Sequence, residues 1–184
     1  MAARRTPDVL PTSIRRLVAS AIRDIPDFPR PGITFKDITP LLADAAAFAQ
    51  AIDVMARPFL GSVDHVAGIE ARGFILASPV AYHLGAGLIP MRKAGKLPAP
   101  TYAQSYELEY GSETLEIHRD ALAQGRKVLI VDDVLATGGT AEVAASLVEE
   151  AGGEVIGISV LLELASLHGR DKLAGRPVHT LLAV

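Results

Sequence analysis

The stretch Val128-Leu-Ile-Val-Asp-Asp-Val-Leu-Ala-Thr-Gly-Gly-Thr140 decides the fold. It opens on an unbroken apolar run, the kind carried by a strand covered on both faces. Two acids, Asp132 and Asp133, follow at the strand's C-terminal end. The chain then turns through Ala136-Thr-Gly-Gly-Thr140 into a helix, with Val143, Leu147 and Ala151 on one face and Gly152-Gly153 as its stop. N–H groups at such a turn have no partner inside the helix and lie at its positive end, which together suit a phosphate. Gly138 and Gly139 let a ligand approach the backbone closely, and the hydroxyls of Thr137 and Thr140 add donors. No Lys follows the second glycine, so the turn is not a Walker A loop. It is not G-x-G-x-x-G either, which disfavours a dinucleotide. Acids placed just before a phosphate turn suit the hydroxyls of a ribose whose 5′-phosphate occupies the turn.

Outward from this stretch the chain alternates. Strands are predicted at 65–69, 87–91, 127–131 and 154–162, and helices at 73–84 and 139–151, with Pro79 a local irregularity. Strand–helix–strand repetition predicts an α/β fold, a parallel sheet with helices on both faces. Upstream, Thr12 or Ser13 caps a helix expected to run to about Ile25. Pro26-Asp-Phe-Pro-Arg-Pro-Gly32 reads as an ordered loop, 33–36 as a short strand and 44–55 as an Ala-rich helix. Residues 101–118 alternate around Gly111-Ser112 and read as a β-hairpin standing off the core. No repeat or linker divides the chain, so one domain over 1–184 is expected.

Composition narrows the function. The chain has 184 residues, 18 Lys+Arg against 21 Asp+Glu, and a net charge of −3, which gives no general basic surface for nucleic acid or membrane. Without cysteine there are no disulfides or thiolate metal sites, and without tryptophan a stacked-aromatic RNA platform is disfavoured. The five histidines show no close pairing, which argues against a His-based metal site. No apolar run is long enough to span a bilayer, and no secretory signal follows Met1, so a cytoplasmic protein is expected.

The stretch 128–140 resembles the ribose-phosphate signature of the type I phosphoribosyltransferases. Phe28-Pro-Arg-Pro-Gly-Ile-Thr-Phe-Lys-Asp-Ile-Thr-Pro40, Gly68-Ile-Glu-Ala-Arg-Gly-Phe74, Arg92-Lys-Ala-Gly-Lys-Leu-Pro98, Ser105-Tyr-Glu-Leu-Glu-Tyr-Gly111 and Leu162-Glu-Leu-Ala-Ser-Leu-His-Gly-Arg170 resemble the adenine-using branch of that family. The resemblance implies a central five-stranded parallel sheet, an N-terminal hood over 1–40 and a flexible catalytic hairpin over 101–118. It implies Mg²⁺-dependent transfer of 5-phosphoribosyl from phosphoribosyl pyrophosphate (PRPP) to adenine, giving AMP and pyrophosphate, in a homodimer.

Residue by residue, the resemblance places the ribose on Asp132 and Asp133 and the 5′-phosphate on Ala136, Thr137, Gly138, Gly139 and Thr140. Pyrophosphate falls to Ala71, Arg72, Arg92, Lys93 and Lys96, with Lys96 reaching the partner subunit's site. A cis peptide without proline is expected at Ala71–Arg72. Adenine falls to Thr34, Phe35, Lys36 and Val134, with Phe35 stacking on the base. Catalysis falls to Glu109, Asp132, Asp133 and Arg72, Glu109 assisting proton handling on the purine. No direct metal ligand is expected, Mg²⁺ arriving with pyrophosphate and water. An apolar patch within 70–90 would suit the dimer. Two alternatives stay open: a phosphoribosyltransferase for hypoxanthine, guanine or xanthine, and a PRPP-sensing regulator without turnover.

Overall fold

The computed structural model describes residues 12–107, 112–173 and 175–184. The chain divides into two compact units, Met1–Val54 and Met55–Val184.

The first unit holds helix α1 (Thr12–Ser20), strands β1 (Arg23–Ile25) and β2 (Phe35–Asp37), helix α2 (Thr39–Ala43) and most of α3 (Ala45–Ala56). The helix expected to reach Ile25 stops at Ser20. The reason is local: Pro26 disfavours helical backbone at the residue before it, and Ile25 instead pairs with Phe35 in the antiparallel β1–β2 ladder. Opposite charges face each other along that ladder. Arg23 donates to Asp37 Oδ2 at 2.7 Å and Lys36 to Asp24 Oδ1 at 2.8 Å. The intervening proline-rich loop is ordered: Gly32 N–H donates to Asp27 Oδ1 at 2.7 Å, and Phe28 N–H to the Ile33 carbonyl at 3.1 Å. The Phe28–Pro29 peptide is cis. Asp44 starts α3 by accepting from the N–H groups of Ala46 and Ala47 at 2.9 and 3.0 Å.

The second unit is built on β3 (His65–Ile69), α4 (Gly73–Leu84), β4 (Gly87–Lys93), β5 (Thr101–Glu107), β6 (Ser112–His118), β7 (Lys127–Leu135), α5 (Gly139–Glu150), β8 (Glu154–Glu163) and β9 (Val178–Ala183). Its seven-stranded sheet runs β5-β6-β4-β3-β7-β8-β9. From β4 to β9 every neighbouring pair is parallel, which gives the expected five-stranded parallel centre. The last of these strands, β9, has a weak apolar alternation and was not separable from loop in the sequence.

Strands β5 and β6, on either side of residues outside the described set, pair antiparallel, yet they do not stand off the core. Strand β6 joins β4 antiparallel, with Arg92 opposite Glu116 and Lys93 opposite Leu115. Leu115 and Ile117 are buried in the main cluster with Ile89, Met91 and the apolar face of α5. Their alternation with polar residues is the signature of an antiparallel strand covered on one face.

The crossovers fix where a ligand can bind. The chain leaves β3 through α4 toward β4, and leaves β7 through α5 toward β8, in opposite directions from the middle of the sheet. Right-handed crossovers then place α4 and α5 on opposite faces. Packing agrees: Ala67, Ile69, Val128 and Ile130 cluster with α5, whereas Gly68 faces Ala77 and Phe74 of α4 so closely that a Cβ there would lie 2.7 Å from Ala77 Cβ. The C-terminal ends of β3 and β7 therefore flank the crevice where the winding reverses, the binding position of open α/β sheets.

Candidate active site

Both strand ends at the crevice carry the residues singled out in the sequence. Asp132 and Asp133 lie within β7, which runs on to Leu135. Asp133 is buried, at 5% exposure. Its N–H donates to Asp132 Oδ1 at 2.9 Å. From the end of β3, Arg72 brings a guanidinium nitrogen to 2.7 Å from Asp133 Oδ2. That contact is an ion pair whose geometry is not that of an aligned hydrogen bond, since the same oxygen has no hydrogen-bond donor. Gly73 makes the approach possible: a Cβ there would sit 2.8 Å from Asp132 Oδ1. Burial pushes both carboxyls above the ordinary carboxylate range. Asp132 rises furthest because the Asp133 charge adds to burial, whereas at Asp133 the Arg72 charge offsets part of the rise.

The turn 136–140 is open to a cleft of about 110 Å³ also lined by Asp132 and Val134. Gly138 takes a left-handed conformation, φ +83, at the start of α5. The first helical hydrogen bond runs from Glu142 N–H to the Gly138 carbonyl at 3.0 Å. The N–H groups of Gly139, Thr140 and Ala141 precede it and have no intrahelical acceptor.

A second glycine supports the turn from behind. A Cβ on Gly169 would lie 2.2 Å from the Ala136 carbonyl oxygen, and one on Gly138 would lie 2.2 Å from the Gly169 oxygen. The next residue, Arg170, anchors that segment. It donates to both oxygens of buried Glu163 at 2.7 Å and to Thr180 Oγ1 at 2.8 Å. Glu163 ends β8 beside Leu135. The Arg170 hydrogen bonds hold the Glu163 carboxyl below its ordinary range against the opposing effect of burial. Lys172 from the same segment brings Nζ to 3.9 Å from where a Gly139 Cβ would be.

The cationic wall lies across a larger cleft of about 440 Å³, lined by Ala71, Arg72, Lys93, Lys96 and both aspartates. Its organiser is Glu70, whose side chain is only 8% exposed. Lys96 donates to Glu70 Oε1, the Lys93 N–H donates to Oε2 at 2.9 Å, and Arg92 Nε stands 3.4 Å from Oε2. Burial alone would push the Glu70 carboxyl up; Lys96, the Lys93 amide and Arg92 bring it below its ordinary value. The cis peptide is Glu70–Ala71, one bond earlier than expected.

Two residues not singled out as site residues in the sequence also line this cleft, Tyr106 and Glu113. They face each other across β5 and β6. Tyr106 donates to Glu113 Oε2 at 3.3 Å, and Lys93 donates to Glu113 Oε1. Burial pushes the Tyr106 phenol up, with the neighbouring Thr140 hydroxyl acting against it. Tyr106 falls within the quoted stretch 105–111 and Glu113 just beyond it; their place at the cleft follows from the register of β5 against β6. Gly169 and Glu70 sat within quoted stretches, but their roles depend on contacts far apart in sequence.

Thr34, Phe35 and Lys36 belong to the first unit, where the Phe35 ring meets Phe28 edge-on at 5.2 Å. Val134 is a half-buried residue of β7. Glu109 lies outside the described residues. Among the described residues, no group of three or more His, Asp or Glu converges as a metal site, and no helix is long and apolar enough to cross a membrane.

Residues 34–179 match the phosphoribosyl transferase domain family. The adenine phosphoribosyltransferase of Thermobifida fusca is 59% identical over 174 residues, 94% of this chain and 99% of that protein. That of Cutibacterium acnes is 58% identical over 171 residues, 91% and 97% of the two chains. The crystal structure of the Rhodothermus marinus adenine phosphoribosyltransferase superposes with a TM-score of 0.90 at 52% identity, covering 95% of this chain and all of that one. The Saccharomyces cerevisiae enzyme, complexed with an imino-altritol bisphosphate and adenine, gives 0.87 at 38% identity, over 92% and 99% of the two chains. With a glycine turn at a helix N-terminus, an acid pair and a cationic wall at one crevice, and relatives matching nearly end to end, the chain belongs to the phosphoribosyl transferase family, within its adenine phosphoribosyltransferase branch.

Proposed function

We propose that the protein transfers the 5-phosphoribosyl group of PRPP to adenine, releasing AMP and pyrophosphate, in purine salvage. One observation carries the reading: the turn 136–140 with its first-turn amides, the acid pair and the Arg72–Lys93–Lys96 wall lie at one crevice. Their order fits PRPP from end to end. The 5′-phosphate enters the turn 136–140, the ribose hydroxyls meet Asp132 and Asp133, and the diphosphate lies against Ala71, Arg72, Arg92, Lys93 and Lys96.

The chemistry follows from charge. As the C1–O bond to pyrophosphate breaks, positive charge grows on the ribose and negative charge on the leaving group. Carboxylates beside the ribose favour the first, and fixed cations favour the second. Arg72 touches Asp133 and borders the diphosphate cleft, so it links the two charges as they separate. Mg²⁺, when bound with the diphosphate, neutralises part of its charge. Few protein carboxylates are free for it, because Arg72 holds Asp133 and Glu70 is committed to Lys96; its oxygen ligands would come from water and the diphosphate. Adenine is assigned to Phe35, to backbone groups of Thr34 and Lys36, and to Val134, and the proton on the purine to Glu109, all by resemblance to the family. A homodimer belongs to the same reading, supported by the exposed apolar residues Ile75, Tyr82 and Leu88. So does a cytoplasmic location, where phosphorylated sugars are retained.

The test is turnover of purified protein with PRPP, Mg²⁺ and each of adenine, hypoxanthine, guanine and xanthine. Adenine is expected to give the highest kcat/KM, with one pyrophosphate per AMP. A preference for a 6-oxopurine would replace the substrate assignment, and PRPP binding without pyrophosphate release would make the protein a sensor.

A further inference from the structure

The diphosphate wall carries two carboxylates, and they are held differently. Glu70 is nearly buried and ties together Lys96, the Lys93 backbone and Arg92, so it belongs to the frame of the wall. Glu113 is 31% exposed and faces the cleft from the hairpin. Its oxygens have the Lys93 ammonium on one side and the Tyr106 phenol on the other. Lys93 is itself 47% exposed, its ammonium reaching Glu113 diagonally across the β4–β6 ladder.

A negative side chain in a cleft built for a diphosphate calls for a reason. We propose that Glu113 is a resident counter-ion of the diphosphate subsite: it neutralises Lys93 while the cleft is empty and is displaced from the ammonium by pyrophosphate or by the diphosphate of PRPP. This rests on the function proposed above and names a residue that sets its diphosphate affinity. The physical logic is competition for one cation. An incoming diphosphate must separate Lys93 from Glu113 and accept a carboxylate nearby, and both effects weaken its binding. The benefit is at the end of the reaction, because a returning Glu113 helps pyrophosphate leave. While the two are paired, the Glu113 carboxylate raises the Lys93 ammonium above its ordinary pKa.

Calorimetric titration of the purified protein with pyrophosphate, at fixed Mg²⁺ and again without Mg²⁺, reads this directly. Glu113→Gln is expected to tighten pyrophosphate about fivefold to tenfold and to leave ribose 5-phosphate affinity unchanged. Glu113→Asp, which keeps the charge, is expected to stay within about twofold of the wild type. In a Lys93→Gln background the effect of Glu113→Gln is expected to shrink to less than about twofold, because the contested cation is gone. In turnover, Glu113→Gln lowers the KM for PRPP without raising kcat, a split that a merely structural role would not give. Unchanged or weaker pyrophosphate binding by Glu113→Gln overturns the proposal, with or without Mg²⁺. The wild-type turnover assay judges the function separately: an inactive wild type that still shows the pyrophosphate pattern refutes the reaction and leaves the counter-ion standing.

Discussion

The acid pair shows at residue scale how a proposed ribose contact works against the preference of the fold. Folding raises the Asp132 carboxyl well above its ordinary range through burial and the adjacent Asp133 charge. A carboxyl raised in the folded state contributes stability below its ordinary pKa and loses that contribution as pH rises through the folded value. At neutral pH an ionised Asp132 therefore opposes folding. Asp132→Asn keeps the shape and removes that charge. It is expected to raise Tm near pH 7 by about 2–4 °C, equivalent to about 1 kcal/mol, with a smaller gain near pH 4. Turnover is expected to fall about 10²-fold, since the growing positive charge on the ribose loses a partner. A melting curve unchanged at both pH values would mean that the acid pair carries no such strain. The pair was legible in the sequence because its signal is local, two acids between an apolar run and a glycine turn. Glu70 and Glu113 were not, because each acts on lysines at least 20 residues away.

At the scale of an element, the segment Gly169–Leu173 braces the turn 136–140. Gly169 and the turn 136–140 meet backbone to backbone, and a methyl group has no room between them. Gly169→Ala is expected to cost about 1–3 kcal/mol through overpacking and to raise the KM for PRPP more than it lowers kcat, because the turn proposed to hold the 5′-phosphate moves. Gly125→Ala is the control: it strains a positive φ in open space and leaves KM unchanged. Equal KM effects in the two variants would deny the brace. Secondary structure itself was largely legible, since β3, β4, α4, β7, α5 and β8 follow clear periodicities. The hairpin was found too, but not its attachment to β4, because edge pairing is decided by register with a strand that the local pattern does not name.

The two halves of the proposed ligand sit on different strand–helix connections of one sheet, and that separation has consequences for the molecule as a whole. The 5′-phosphate is assigned to backbone amides after β7, and the diphosphate to side-chain cations after β3 and on β4. The crevice between them exists because the winding reverses between β3 and β7, which the alternation of strands and helices implied but the strand order alone settled. Two separate subsites can be filled together, so their stabilisation should add. Ribose 5-phosphate and pyrophosphate, each at about 100 times its Kd, should each stabilise by about 2.7 kcal/mol, or about 5–10 °C in Tm for a chain of this size. Both together should give nearly the sum. Added salt should erode the pyrophosphate shift first, because Lys93 and Lys96 are 47% and 44% exposed and their charges are screened, whereas the amides of the turn carry no net charge to screen. Shifts that fail to add, with each ligand displacing the other in titration, would place both phosphates in one pocket and remove the end-to-end fit to PRPP.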